Sequence, residues 1–590
     1  MKQFFKFMFA SMVGYLLVCI ICGLFFFIMV ASVASLSSKQ VIQIKDKSIL
    51  TLKLDQPIYE RAPSNPFQNF DFGSMKSMNN PGLDDILKSL KKAASDDRIK
   101  GIYLDITNIP SGIATIEEIR NALLEFKKSG KFIYAYSEGY SQGAYYLATA
   151  ADKIFMNPEG FIIFKGLSAQ MMFFKGTLEK LEVQAQVIRH GKFKSAIEPF
   201  IMDKMSDANR EQVEKYVGSI WDYMVTNMAK ERKLTSAKLK VIADSLLVQT
   251  GADALKYKMV DGLKYKDEMQ AELRKDLGIG DNDKINFVSI AKYKNAKGTR
   301  VENKLKKEKI AVVYAVGQIQ SGEGDDQTIG SDRISEAIRA ARTDKSVKAI
   351  VLRVNSPGGS ALASEIIWRE VELARKEKPV VVSMGDVAAS GGYYIACAAN
   401  KIIADPNTIT GSIGVFGLIP NMEKFFKNKL GITFDGVNTN EHSDFMSTAR
   451  PMDEYETKVL QNEIEHIYQI FIKHVADGRK MTTAQVDSIG QGRVWSGVDA
   501  KRIGLIDDFG GIDKAIEVAA GLANITDYKL VNYPKQKDPF TQIIEQMTGE
   551  GGDAMIKKEL GENYVYYQYL KNMSKVSGVQ ARLPFDLIIY

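Results

Sequence analysis

GDVAASGGYYIACAANKI, which is Gly385–Ile402, occurs a second time in this chain in altered form. The other copy is SEGYSQGAYYLATAADKI, which is Ser137–Ile154, and it lies 248 positions earlier with eight of 18 residues identical. Because self-similarity at a fixed offset is the signature of a repeat architecture, the pair predicts a duplicated fold. The later copy has Ser390 where the earlier one has Gln142. We therefore expect one functional site to be divided between two unequal halves.

The same register continues on both sides of these segments. Upstream, Asp344–Leu352 pairs with Asp96–Leu104, and each is a charged turn followed by an apolar, β-branched run typical of a buried strand. Downstream, Gly497 pairs with Gly251 after a slip of two residues. Two generic α/β domains could look alike, but a nearly gapless register over this length favours duplication.

The register divides the chain into five parts. We predict a membrane anchor (1–40), a first repeat domain (46–277), a linker (278–307), a second repeat domain (308–522) and a C-terminal extension (523–590). The extension carries no pattern to which a role can be assigned. Strand and helix patterns alternate in both repeats, which predicts an α/β fold.

The composition argues against several classes of function. The formal net charge of +7 is spread along the chain, and the densest basic cluster, Asn303–Lys309, has the character of a solvated linker between the repeats. No aromatic-basic stripe accompanies it, so nucleic-acid binding has no motif in its favour. Cys19, Cys22 and Cys397 cannot form a disulfide framework or a thiolate metal site. We expect neither a metal nor a cofactor.

The N-terminus contains a candidate membrane span. No charged residue occurs from Phe7 to Ser38, and about 20 apolar residues suffice to cross a bilayer. Lys2 and Lys6 precede this run, which favours a cytoplasmic N-terminus and a translocated body. A cleaved signal peptide is the alternative, because Ala31–Ser35 offers small residues near a possible cut. Either interpretation places the body outside the cytoplasm.

The second repeat carries a candidate nucleophile after a predicted strand, Val380–Met384. Ser390 lies between small residues at a predicted helix N-terminus, where its hydroxyl can be exposed to a reactant. A second turn, Asn355–Ser360, contains paired glycines, whose bare backbone can approach a ligand closely. The amides of Gly358 and Gly391 could hold an oxyanion. The alternative is that Ser390 only caps the helix, which is a common role for serine.

A nucleophilic serine needs a base. The four histidines have no motif context, so a Ser–His–Asp site has little in its favour. The first repeat offers Lys194 within GKFKSAIEPF (Gly191–Phe200), and the corresponding stretch of the second repeat, Gly436–Asn440, has no lysine. One repeat has the serine without the lysine and the other has the lysine without the serine. This complementarity favours a Ser390–Lys194 pair built across the repeats.

A lysine acts as a base only after it loses its proton. Its reference pKa is about 10.4, and burial in a groove lowers that value by destabilising the ammonium form. Ser412, whose counterpart in the first repeat is Phe164, is a candidate to orient the amine. The ordinary alternatives are a solvated surface role for Lys194 and a turn role for Ser412.

Four motifs in this order resemble the long, duplicated bacterial signal peptide peptidase A, or protease IV, family: GKFKSAIEPF, then NSPGGS, DVAASGGYYIACAA and TGSIGV. The resemblance covers the body from 46 to about 522, together with the anchor. It implies tandem duplicated crotonase/Clp-protease-like α/β domains preceded by one transmembrane helix. It also implies roles for five residues: nucleophile Ser390, general base Lys194, lysine-orienting Ser412, and oxyanion donors Gly358 and Gly391.

The resemblance further implies a serine endopeptidase that degrades cleaved signal peptides and other hydrophobic peptides as a bowl-shaped homotetramer. It places a single-pass protein in the bacterial inner (cytoplasmic) membrane, with the catalytic body on the periplasmic side. A general membrane quality-control protease, a crotonase-like acyl-CoA enzyme and a non-catalytic scaffold stay open as alternatives. Translocation argues against the acyl-CoA enzyme because CoA is cytosolic, and the retained serine and lysine argue against the scaffold.

Overall fold

The computed structural model describes residues 2–37, 43–62, 70–71, 76–77, 81–296, 307–536 and 578–582. The chain begins with helix α1 (Lys2–Ser37). Within it, Gln3–Leu24 is long and apolar enough to cross a membrane, and none of this segment is buried against the rest of the protein. A signal sequence has the same properties, so both interpretations of the N-terminus stay open.

The first repeat is built on a parallel sheet. Its central strands are buried on both faces, which explains their almost continuous apolar sequence. The six strands, in their order across the sheet, are β8 (Gly262–Leu263), β6 (Lys153–Ile162), β5 (Phe132–Tyr140), β4 (Ile99–Asp105), β1 (Ser48–Leu52) and β9 (Asn286–Ser289). A separate two-stranded pair consists of β2 (Phe70–Asp71) and β3 (Lys76–Ser77).

The second repeat has an equivalent sheet, in which one strand pair among the described residues is antiparallel and the others are parallel. The main path is β19 (Val494–Ser496), β17 (Ile409–Gly411), β15 (Val380–Ala389), β13 (Val347–Ser356), β10 (Lys309–Val316) and β21 (Lys529–Tyr533). A branch adds β16 (Lys401–Ala404) and β20 (Asp508–Phe509) beside β15. Strands β5 and β15 start 248 positions apart, as do β4 and β13. The offset between the two copies in the sequence is therefore also the offset between equivalent strands in the structure.

Most helices also occur as equivalent pairs in the two repeats. The pairs are α2 (Leu83–Ala94) with α12 (Ser331–Thr343), α3 (Ile113–Lys127) with α13 (Ala361–Glu377), α4 (Gln142–Ala148) with α14 (Gly391–Ala396), α7 (Asp207–Arg232) with α15 (Glu454–Arg479), α8 (Ser236–Asp244) with α16 (Thr483–Ile489), α9 (Gly251–Lys256) with α17 (Gly497–Arg502), and α10 (Lys266–Leu277) with α18 (Ile512–Leu522). The first repeat also has α5 (Lys175–Leu181), α6 (Glu198–Ile201) and α11 (Ile290–Tyr293). Single turns of 3₁₀ and π helix lie at Ser195–Ile197 and Phe425–Leu430.

A third sheet combines strands from both repeats and from the C-terminal extension. Its order is β12 (Thr328–Gly330), β11 (Gln318–Gln320), β14 (Gly358–Ser360), β22 (Gly578–Arg582), β18 (Phe416–Asn421) and β7 (Gln184–Arg189). Strand β7 belongs to the first repeat, and it pairs antiparallel with β18 of the second over six residues. This pairing carries the segment after β7 to the second repeat.

The domain boundaries stay a prediction, but strands occur where the sequence suggested none. Strand β9 lies in the stretch expected to be a linker and pairs with β1 of the first sheet. In the C-terminal extension, β21 pairs with β10 and β22 enters the third sheet. These strands are short and lack a clear alternation of apolar and polar residues, so the hydrophobic pattern of the sequence does not predict them.

The two repeats share a hydrophobic core. One apolar cluster contains Ile102 and Tyr146 of the first repeat together with Val351 and Ile516 of the second. Arg353 crosses the same boundary and has no solvent exposure. Its guanidinium donates to Glu60 (2.9 Å) and Glu118 (2.5 Å) in the first repeat and to Ser383 Oγ (2.8 Å) in the second. Burial alone would lower the pKa of Arg353, but Glu118 and Glu60 raise it.

We expect Arg353→Ala to destabilise the protein strongly, because it leaves two carboxylates buried without their cation. Removing one partner of a buried ion pair costs about 3–5 kcal/mol. The measurement is the free energy of unfolding from urea titration, with Lys345→Ala as the control because Lys345 is exposed in the same repeat. We expect the control to change stability by less than about 0.5 kcal/mol. Equal stability of the two variants would show that the network does not hold the repeats together.

Candidate active site

Ser390 connects strand β15 to helix α14 in a strained conformation. Its φ of 53° lies in the left-handed region, which few residues other than glycine adopt. Its amide donates to the carbonyl of Gly411 at 2.8 Å, and its side chain makes no capping hydrogen bond. The N-cap alternative is therefore not what the structure shows. Strain of this kind concentrates at functional sites.

Lys194 of the first repeat reaches Ser390 of the second. The two residues are 196 positions apart in sequence, yet Lys194 Nζ lies 2.8 Å from Ser390 Oγ, and both side chains are fully buried. The surface-lysine alternative is thus wrong. Lys194 lies after β7, whose pairing with β18 brings it to this place. The structure therefore brings the lysine of the first repeat into contact with the serine of the second.

The environment of Lys194 favours a neutral amine. Burial lowers the pKa of Lys194 well below its ordinary value of 10.5, because the interior solvates an ammonium poorly. Among the ion pairs of the described residues, none includes Lys194, so no carboxylate in direct contact stabilises its charged form. Neutral lysine keeps a lone pair on Nζ. At 2.8 Å this lone pair can accept the hydroxyl proton of Ser390.

Ser412 lies on the other side of the amine. Nζ of Lys194 donates to Ser412 Oγ at 3.1 Å and to the Ser412 carbonyl at 3.2 Å. Ser412 is buried, has a φ of 51°, and is fixed by its amide, which donates to the carbonyl of Arg493 at 2.7 Å. With two Nζ–H bonds directed at Ser412, the nitrogen lone pair can face Ser390. Ser412 is thus in direct contact with the amine, and its orienting role stays a prediction.

Gln212 supports the Lys194 loop and was not predicted from the sequence. It lies on α7 and is fully buried. Its Nε2 donates to the Phe193 carbonyl (3.1 Å) and to Ser195 Oγ (2.9 Å), on either side of Lys194. Its Oε1 accepts a hydrogen bond of 3.1 Å from the amide of Val494 in the second repeat. A single polar residue on a helix gives no sequence signal for such a role, although Gln212 ties the two halves together beside the lysine.

Gly358 and Gly391 lie next to each other beside Ser390. A Cβ atom added to Gly358 would come within 2.7 Å of the Gly391 amide nitrogen, and one added to Gly391 within 3.2 Å of Gly358 Cα. Gly358 has a φ of 97°, so its conformation also requires glycine. Its amide donates to Ser356 Oγ at 3.1 Å, a long hydrogen bond that an oxyanion would have to share or displace.

The histidines are engaged away from Ser390. His190 bonds Glu465 at 2.6 Å and stacks on Tyr468, and His474 bonds Glu365 at 3.0 Å. No histidine is a hydrogen-bond partner of Ser390 in the part of the chain that the structure describes. This arrangement does not support a Ser–His–Asp site.

One group of side chains could suggest a metal site. His442, Asp453 and Glu456 place possible ligand atoms within 4.8 Å of one another. Glu456 already accepts two hydrogen bonds from the guanidinium of Arg450, at 2.6 and 2.8 Å. A cation there would face the positive charge of that arginine, so the group is better explained as an ion-pair network.

Comparison with known proteins agrees with the duplicated architecture. The model of peptidase family S49 matches residues 125–280 and 372–526, and the Clp protease model matches residues 303–410. Protease 4 of Salmonella typhi is 40% identical over 79% of this chain and 76% of its own length. Protease 4 of Haemophilus influenzae is 37% identical over 81% and 80%, and the chloroplastic serine protease SPPA of Arabidopsis thaliana is 33% identical over 86% and 75%.

These matches confirm three expectations drawn from the sequence. The fold is a tandem, crotonase/Clp-protease-like α/β fold, and each repeat carries its own family match. The protein is a serine peptidase, because it matches the serine protease SPPA over 75% of that protein's length and Protease 4 over 76% of its length. The chain belongs to peptidase family S49.

Proposed function

We propose that this serine peptidase works through a Ser390–Lys194 dyad, in which each repeat contributes one member. The observation that carries the proposal is the 2.8 Å separation of Lys194 Nζ and Ser390 Oγ. A neutral buried lysine is a competent general base near neutral pH, whereas a solvated one is not. Ser412 would keep the amine aligned, and Gly358 and Gly391 would donate amides to the oxyanion.

The reaction follows from these positions. Lys194 takes the proton as Ser390 Oγ attacks the carbonyl carbon of the scissile peptide bond. The tetrahedral intermediate collapses when the ammonium of Lys194 gives that proton to the leaving amine. Water then attacks the acyl-enzyme, again with Lys194 as base, and releases the acid product and free Ser390.

We propose that the substrates are signal-peptide remnants and other hydrophobic peptides at a membrane. The apolar segment Gln3–Leu24 suits a single-pass anchor that keeps the site close to such peptides, and Lys2 and Lys6 favour a body on the periplasmic side. General quality control of membrane proteins is the alternative. A homotetramer is part of this proposal, and sedimentation of the detergent-solubilised protein as a monomer would contradict it.

The substrate proposal is tested with two peptides of equal length, presented in detergent micelles. One is a 20-residue peptide rich in leucine and alanine, and the other is rich in glycine, serine and glutamate. We expect kcat/KM for the apolar peptide to be at least about tenfold higher, with each product identified by mass spectrometry. Equal rates would contradict a preference for signal-peptide remnants, and efficient cutting of full-length unfolded membrane proteins would favour quality control.

We expect Gly358→Ala to lower kcat/KM by at least about 10²-fold, the effect of losing one oxyanion donor. The new methyl group would lie 2.7 Å from the Gly391 amide nitrogen. Alanine would also have to adopt the φ of 97° that Gly358 has, which strains a residue with a Cβ atom. Gly218→Ala is the control, because a Cβ on that helical glycine meets no atom within 4 Å. Similar activity of both variants would exclude Gly358 from the oxyanion site.

A further inference from the structure

The strands that lead to Ser390 and Gly358 are neighbours in the second sheet. Strands β13 and β15 run parallel, and their last pair is Ser356 with Ala388. Gly358 follows Ser356 by two residues, and Ser390 follows Ala388 by two. The register of this pairing therefore sets the distance between the proposed oxyanion donor and the nucleophile.

This last pair lies beyond a bulge in β15. Before the bulge, Val354 pairs with Met384, and the next pair joins Ser356 to Ala388. Asn355 alone therefore faces Gly385–Val387. Bulges occur often beside active sites, where they change the direction of a strand and of its side chains.

The side chain of Asn355 connects the bulge to the first repeat. Its Oδ1 accepts from the amide of Val387 at 3.2 Å, and its Nδ2 donates to Glu60 Oε1 at 2.9 Å. Glu60 lies in the loop after β1 of the first repeat and is only 6% exposed. Its Oε2 accepts from Arg353 Nε at 2.9 Å. One oxygen of the carboxylate thus serves the ion pair, and the other serves the bulge.

The direction of these hydrogen bonds is fixed. The amide of Val387 can only donate, so Asn355 must turn its oxygen toward Val387 and its nitrogen toward Glu60. The guanidinium of Arg353 can also only donate. Position 60 therefore needs two acceptor atoms, which a carboxylate has and a side-chain amide does not.

A second contact from the first repeat holds the same bulge. Asp386 lies within it, and its carboxylate accepts from the amide of Thr115 at 2.9 Å and from Thr115 Oγ1 at 2.6 Å. Thr115 lies in the first turn of α3, whose N-cap residue, Gly112, makes no side-chain hydrogen bond to the helix. The carboxylate satisfies one of the amides that a helix N-terminus leaves open.

We propose that Glu60 is a positioning residue, which acts through Asn355 to hold the oxyanion turn in register with Ser390. The first repeat then supplies the lysine and also aligns two groups that both belong to the second repeat. This inference rests on the proposed Ser390–Lys194 site.

A small displacement is enough for a large effect on the rate. One residue of slip along a strand is about 3.3 Å. Misplacement by about 1 Å can lower the rate of an enzyme by about 10²-fold. The bulge therefore needs only to relax, and not to unfold, for catalysis to suffer.

The first test is Glu60→Gln, assayed with an internally quenched apolar peptide. Glutamine has one acceptor, so its amide nitrogen must face a donor of Asn355 or of Arg353. We expect kcat to fall by at least about tenfold and KM to change by less than about twofold, because alignment and not substrate binding is lost.

Glu118→Gln is the matched control. It removes a carboxylate beside the same Arg353 guanidinium, but the oxygens of Glu118 accept from Arg353 and from the Ile512 amide, and not from Asn355. We expect kcat of this variant to stay within about twofold of the unchanged protein at a temperature where both are folded. A similar fall of kcat in both variants would assign the effect to the ion pair and would overturn the positioning role.

Exchanging the two residue types provides a rescue. In Asn355→Asp, a second carboxylate faces Glu60, and the repulsion should lower kcat by at least about tenfold. In Glu60→Gln with Asn355→Asp, the new aspartate accepts from the Val387 amide and from the new glutamine, whose oxygen accepts from Arg353. The double variant keeps the net charge and every hydrogen bond, so kcat should return to within about threefold of the unchanged protein.

A peptide aldehyde separates positioning from a purely structural role. Its hemiacetal with Ser390 places an oxygen in the oxyanion site, so its inhibition constant should rise in Glu60→Gln by the factor by which kcat falls. The constant should return to its original value in the double variant. Unchanged kcat in Glu60→Gln, an unchanged inhibition constant, or a double variant no better than the single ones would overturn the inference. Cleavage by Ser390→Ala at the rate of the unchanged protein would instead overturn the dyad, and this inference with it.

Discussion

Replacing Ser390 by alanine is expected to lower kcat/KM for peptide hydrolysis by at least about 10⁴-fold. Loss of a nucleophilic serine has effects of this size or greater in serine proteases, and the residual rate comes from binding and oxyanion contacts. Removing one buried hydroxyl should change stability little, because the backbone contacts stay, including the hydrogen bond that the Ser390 amide donates to the Gly411 carbonyl. Steady-state kinetics and urea unfolding of the same preparation measure both effects.

Cys397 provides the matched control for this variant. It lies seven residues after Ser390, is fully buried, and is the one cysteine outside α1. Burial raises the pKa of its thiol to about 12, so it is not a thiolate nucleophile near neutral pH. Cys397→Ser should therefore keep activity close to that of the unchanged protein. Loss of activity in Cys397→Ser together with persistence in Ser390→Ala would move the nucleophile to the cysteine.

Replacing Lys194 by methionine is expected to lower kcat/KM by about 10³–10⁴-fold, because general-base catalysis contributes about 10²–10⁴-fold and the proton to be removed is that of the nucleophile. Methionine has a similar shape and suits a fully buried site, so misfolding is a weaker explanation here than with alanine. Lys194→Arg should be equally inactive, because a guanidinium does not lose its proton in proteins. Lys192→Met is the control, since Lys192 is exposed two residues away.

Activity in Lys194→Met within tenfold of the unchanged protein would mean that another group accepts the proton. If Lys192→Met were as inactive as Lys194→Met, the loss would reflect a damaged loop and not the missing base. Gln212 offers a further check, because it fixes the carbonyl of Phe193 and the hydroxyl of Ser195 around the lysine. Gln212→Leu should lower kcat because Lys194 Nζ is misplaced. The pH at which its rate rises on the acidic side of the pH–rate profile should equal that of the unchanged protein.

The divided site could be predicted from the sequence because the candidate serine occurs only in the second repeat and the candidate lysine only in the first. Ser390 stands where the first copy has Gln142, and the lysine segment has no lysine in the second copy. The contact itself depends on β7 crossing to β18, a pairing between strands of different repeats that local periodicity does not encode.

Other parts of the structure could not be read from the chain. Arg353 lies in a strand that otherwise reads as apolar, and its partners Glu60 and Glu118 are more than 200 residues away. Strand β22 has only five residues, and its place beside Gly358 depends on two strand edges formed elsewhere. In each case the structure depends on a contact with residues far away in the sequence, and such contacts cannot be predicted from local patterns in one sequence.

The central claim, that Lys194 of one repeat activates Ser390 of the other, is tested most directly by the pH dependence of Ser390 acylation. A serine-directed acylating reagent is added over a range of pH, and the modified residue is identified by mass spectrometry. The reacting form has a neutral lysine, so the rate should rise with pH through the pKa of Lys194, which burial places well below 10.5. We predict this rise of the acylation rate with pH in the unchanged protein and in Lys192→Met. In Lys194→Met the rise should disappear and the rate should be much lower. The same rise and rate in Lys194→Met would contradict the account.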